Sequence, residues 1–122
     1  MNPKALTVLE DIRMACGRIL AKTAGVPLSE YSDSHDLRDI VERNFIKIGD
    51  ALNRLIDTEP SYSSRISHAP RIIGFRNQLT HGYHRIENSS VHETAIRDVP
   101  LLRREIMILI EEQLSRSQPT KR

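Results

Sequence analysis

An arginine, an asparagine, a threonine, a histidine and a tyrosine fall within the short segment Arg76-Asn77-Gln78-Leu79-Thr80-His81-Gly82-Tyr83. These residue types suit cleavage of RNA without a metal ion. Such cleavage needs a base for the ribose 2′-OH, an acid for the departing 5′-oxygen and a cation for the charge that grows on the phosphate. Histidine, with an ordinary pKa of about 6.5, serves as either acid or base near neutrality. Arginine stays charged and grips phosphate through a planar fork of donors. Asn77 can orient the imidazole or the phosphate. On a helix, Asn77 and His81 share a face, whereas Arg76 and His81 point about 140° apart. One copy of the segment therefore does not put both groups on one substrate atom. Two copies meeting across a two-fold axis do. The bland reading of the same spacing puts Arg76 in an ion pair and makes His81 a helix C-cap.

Other chemistries fare worse. His81, His84 and Glu87 have a spacing that suggests metal ligands, but Gly82 interrupts the helix and no Cys or second His pair accompanies them. We expect no metal and no cofactor. His35, His68 and His92 stand among polar neighbours and read as solvated. No Gly-rich phosphate loop, G-x-S-x-G or paired cysteine occurs. Fourteen arginines against four lysines suit RNA, although ion pairs with the sixteen acids account for most of them. Arg65, Arg71, Arg76 and Arg85 bracket the motif with only Glu87 nearby, and this basic run is assigned to phosphate contact.

The elements that position these residues read as helices. Asn2 and Pro3 begin the first, with an apolar stripe through Leu6, Leu9, Ile12, Cys16 and Ile19, closed by Gly25-Val26-Pro27. Ser32-Asp33-Ser34 leads into a second, on Leu37, Val41, Phe45, Ile48, Leu52 and Leu55, that runs to about Asp57. Thr58 to Ser64 reads as a loop. A third helix starts near Pro70, carries Ile72, Ile73, Phe75 and Leu79, and ends at Gly82. Asn88-Ser89-Ser90 reads as a turn, Val91 to Arg97 as one or two helical turns, and Pro100 as the start of the last long helix. That helix is apolar around so much of its circumference that it is central or covered by a partner. No segment has strand periodicity. The expectation is an all-α, antiparallel four- to five-helix bundle in one domain over residues 1–116, with a polar, flexible tail over 117–122.

The 122 residues, 39% hydrophobic and 28% charged, exclude a disordered tail, a collagen-like repeat and a disulfide scaffold. A formal charge of +2 does not by itself establish nucleic-acid binding. The single cysteine, Cys16, reads as a small core residue and fits a reducing compartment. The N-terminus lacks a signal-peptide apolar region, and the apolar run Ile106 to Ile110 is far too short for a membrane span. A cytoplasmic protein with no membrane partner is expected.

The motif resembles the R-x4-H-x-Y signature of HEPN-domain proteins of the HepT-like toxin branch, through Arg76, His81 and Tyr83, with Asn77 directly after the arginine. Arg43-Asn44-Phe45 with Ile48-Gly49-Asp50-Ala51 resembles the family's second-helix pattern R-N-x-x-x-I-G-E-A. Pro70 to Phe75 resembles the lead-in to the motif, and Asp98-Val99-Pro100-Leu101 the start of the last helix. The similarity runs roughly from residue 5 to 115. Asp50 departs from it, standing where the family usually has Glu. The resemblance implies a homodimeric, metal-independent endoribonuclease, the toxin of a type VII-like HEPN/MNT toxin–antitoxin system. Arg76 and His81 of both subunits would line a basic cleft at the interface, supported on RNA by Asn77, Arg71, Tyr83 and Asp50. It further implies an MNT-type nucleotidyltransferase antitoxin that uses ATP to place AMP on Tyr83. That adduct would bring negative charge and bulk two residues from His81. The alternative is a non-catalytic partner or substrate-binding subunit of a nucleotidyltransferase.

Overall fold

The computed structural model describes residues 2–82 and 86–117. Five α-helices occur among them: α1 (Pro3–Thr23), α2 (Leu28–Asp33), α3 (His35–Thr58), α4 (Ala69–His81) and α5 (Asn88–Ser117). A 3-10 turn at Pro60–Ser64 joins α3 to α4. No strand occurs among the described residues, and no helix there is long and apolar enough to cross a membrane. The expected all-α bundle is present.

Local chemistry sets the helix ends. The Asn2 side chain accepts from the backbone N–H groups of Lys4 and Ala5, and Pro3 occupies the first helical position. Ser34 caps α3 by accepting from the N–H of Leu37. Gly82, at φ 66°, closes α4 in the left-handed conformation that a side chain resists.

Packing orders the helices. α1 contributes Leu9, Ile12, Cys16 and Ile19 to the core, and α3 contributes Val41, Phe45, Ile48, Leu52 and Leu55. Each large aliphatic chain buried here stabilises the fold by roughly 1.5–3 kcal/mol. Asn2 Nδ2 donates to Glu59 at 3.0 Å, tying the start of α1 to the end of α3, so the two run antiparallel. The N–H of Asn2 also donates to Gln113 Oε1 near the end of α5, which makes α5 antiparallel to α1 as well. Gln113 is fully buried and donates through Nε2 to the Tyr62 hydroxyl at 2.7 Å, so its amide carries no unpaired cost. α4 lies against α3, where Phe75 meets Phe45 edge-on with ring centroids 5.2 Å apart.

Four expectations need correction. The polar lead-in before α3 contains a helix of its own, α2, because Tyr31 is buried there and anchors it. The segment expected as a loop after α3 forms the 3-10 turn, pinned by buried Tyr62. His92 is not simply solvated: its Nε2 lies 2.7 Å from the carbonyl oxygen of Val26 and its ring sits against Tyr31. Finally, no new helix starts at Pro100. Asn88 to Ser117 is one helix with Pro100 inside it. Val91, Ala95, Val99, Leu102 and Ile106 are all buried, so one core-facing stripe runs through the proline and outweighs the missing N–H.

Candidate active site

Arg76 and His81 both belong to α4, and the way α4 meets α3 sets where Arg76 goes. Gly49 of α3 is buried under this crossing. A Cβ added to it would overlap the Cβ of Arg76, lie 2.7 Å from its Cγ and meet the carbonyl oxygen of Ile72 at 3.5 Å. Absence of a side chain at Gly49 thus lets α4 approach closely enough for the arginine stem to rest on α3.

From that seat the guanidinium reaches the next residue of α3. Arg76 Nε donates to Asp50 Oδ1 at 2.5 Å, and Arg76 Nη1 donates to Asn77 Oδ1 at 2.9 Å. Two of five guanidinium N–H groups are engaged. The other three have no hydrogen-bond partner among the described residues. The side chain of Arg76 is 26% exposed and that of Asp50 39% exposed, so the pair sits at the rim of the bundle, open to solvent. A guanidinium held at Nε and Nη1 that keeps three further N–H donors is suited to a phosphate. Asp50, one methylene shorter than the usual Glu, still reaches the arginine. Asn77 orients the guanidinium.

His81 is exposed at the last position of α4, immediately before Gly82. It stands about 7.5 Å along the axis from Arg76 and about 140° around it. One chain does not place the two groups on one atom, as their spacing predicts. Tyr83, with His84 and Arg85, lies outside the described residues.

The basic run is less free than the sequence suggests. Arg65 makes a two-pronged pair with Glu112, at 3.0 and 2.6 Å. The guanidinium holds the Glu112 carboxyl below its ordinary range, and the carboxylate raises Arg65 in turn. Arg71 Nη1 donates to buried Asp98 at 3.1 Å, with His68 3.7 Å from the same carboxylate. Arg65, Arg71 and Arg76 therefore each carry a carboxylate partner, supplied from helices distant in sequence. That pairing could not be read from the local composition. Sequence reasoning also missed Gly49 as the seat of the arginine. Its only signal is a glycine in the interior of an otherwise strong helix pattern.

The chain is thus an all-α bundle whose fourth helix carries a tethered arginine and, at its end, an exposed histidine. The model of the family described as "Ribonuclease HepT-like" matches residues 12–109. The chain belongs to the HepT-like ribonuclease family. The match covers α1 from its third turn, α2, α3, α4 and most of α5. No curated protein and no solved structure matches the chain.

Proposed function

We propose that the protein is a toxin of the HEPN/MNT kind, a metal-independent endoribonuclease that works as a homodimer. The observation that carries this reading is the tether on Arg76: Asp50 and Asn77 hold the guanidinium at Nε and Nη1, its other three donors have no partner among the described residues, and the same helix ends in exposed His81. Two copies of α4 brought together across a two-fold axis supply two such arginines and two histidines to one groove. In the proposed reaction one His81 takes the proton of the 2′-OH. The 2′-oxygen attacks phosphorus, and the O–P bond forms as the P–O5′ bond breaks. The second His81 gives a proton to the 5′-oxygen, leaving a 2′,3′-cyclic phosphate and a free 5′-OH. Arg76 stabilises the charge on the phosphoryl oxygens. No step requires a metal ion.

Control by modification belongs to the same proposal. Tyr83 lies two residues after His81 and is the site for AMP delivered from ATP by an MNT-type nucleotidyltransferase antitoxin. The adduct adds a phosphodiester charge that competes with the RNA phosphate for the same arginines. Arg71, paired with Asp98 but with an exposed side chain, is the supporting contact on the RNA side.

Purified protein incubated with RNA in excess EDTA tests the reaction. Cleavage ending in 2′,3′-cyclic phosphate is expected, and intact RNA overturns the reading in favour of a binding module. Mass spectrometry after incubation with the cognate antitoxin and ATP tests the control, and an unmodified Tyr83 refutes it.

A further inference from the structure

A groove of about 400 Å³ runs between α1 and α3, beside the Arg76 tether. α1 lines it with Asp11, Met14 and Arg18, and α3 with Lys47, Asp50 and Arg54. The residues recur at three-, four- and seven-residue steps on each helix, so each row is one helical face. All three cations are exposed, and none has an ion-pair partner among the described residues. They differ in this from Arg65, Arg71 and Arg76. Asp50 is already balanced by Arg76. Only Asp11 then opposes the three cations, and two positive charges remain in excess. Met14, 49% exposed, gives the groove a soft apolar wall.

We propose that this groove holds the backbone of single-stranded RNA next to the scissile phosphate. Arg18, Lys47 and Arg54 contact phosphates, and Met14 rests against a base. The proposal deepens the ribonuclease reading and rests on it. Its physical basis is continuity: the Asp50 carboxylate that lines the groove is the one that holds Arg76, so a strand lying in the groove borders that guanidinium and its remaining donors. The volume is that of a site for a nucleotide-sized group.

The test uses the full chain and an RNA strand fully 2′-O-methylated, which lacks the attacking hydroxyl. Affinity is measured against salt for the unaltered protein and for the triple variant Arg18→Gln, Lys47→Gln, Arg54→Gln. Each phosphate contact on a single strand contributes about 0.7 to the slope of log affinity against log salt, so the triple variant should lose roughly 2 from that slope. Its affinity at 0.1 M salt should fall about tenfold or more. Should the triple variant fold poorly by circular dichroism, Lys47→Gln alone should lose about 0.7. An unchanged affinity and slope overturn the proposal, as does failure of the unaltered protein to bind the methylated strand. Cleavage of ordinary RNA is scored separately. Its absence defeats the ribonuclease reading alone, while cleavage together with an unchanged triple variant defeats the groove alone.

Discussion

Gly49 and Arg76 touch through bare backbone: the arginine stem occupies the space where any other residue at position 49 would carry its Cβ. The contact couples the α3–α4 crossing to the site. Gly49→Ala must push α4 outward or turn the Arg76 stem, since the clash involves its first two side-chain carbons and not a flexible tip. Overpacking of this kind costs about 1–3 kcal/mol, against a propensity gain of up to about 1 kcal/mol for alanine within a helix. We expect a lower melting temperature together with a loss of RNA cleavage larger than the stability change explains. Thermal melts paired with single-turnover cleavage check both.

Asp50→Asn should separate holding from charge. The amide keeps an acceptor for Arg76 Nε but gives up the ionic attraction across 2.5 Å. The guanidinium then samples other positions, and a misplaced phosphate clamp costs roughly 10–100-fold in the cleavage step. Affinity for RNA should hold or rise, because a carboxylate has gone. Kinetics that show kcat falling with KM level or lower match this role. An unchanged kcat would leave Asp50 as a surface ion-pair partner.

The helices of this bundle were legible because apolar residues recur at helical steps and because Asn2, Pro3, Ser34 and Gly82 are chemical punctuation. Pro100 misled because a local rule was set against a core stripe that continues on both sides of it, and the stripe prevailed. Tyr31 and Tyr62 hid α2 and the 3-10 turn, since a single buried aromatic leaves no periodicity. In the site, types and spacing marked Arg76, Asn77 and His81. Their tethers were less visible: the Asp50 partner and the Gly49 seat lie 26 and 27 residues away in the chain, and only the helix crossing brings them together.

Pro100 offers a stability test with an unusual sign. A proline inside a helix removes one backbone hydrogen bond and crowds the preceding turn. Pro100→Ala restores the N–H without touching the neighbouring buried residues Val99 and Leu102. It should raise the melting temperature, by the equivalent of about 1 kcal/mol or more. A destabilised variant would show that the proline ring contributes packing that outweighs its backbone cost.

His81→Ala should abolish function without harming the fold. The imidazole is exposed at a helix end, so its loss removes little packing. Cleavage should drop roughly 10²–10⁴-fold, the usual worth of general acid–base catalysis. Circular dichroism and the melting curve should match the unaltered protein. Full activity would remove His81 from the mechanism.

Cys16 supplies the pH prediction. The thiol is fully buried, and desolvation pushes its pKa from 9.0 up to about 12, with the Arg103 charge pulling slightly the other way. A raised pKa means that the folded state keeps the proton longer than the unfolded chain does. The associated stability is complete below about pH 9 and is lost as pH climbs from there toward about 12. In the native protein at neutral pH the thiolate is scarce and shielded. Reaction with a thiol reagent at pH 8 should therefore be slow and should track unfolding, accelerating in denaturant in step with loss of helical signal. Fast labelling of the folded protein would place Cys16 at the surface and contradict the α1 packing on which the bundle rests.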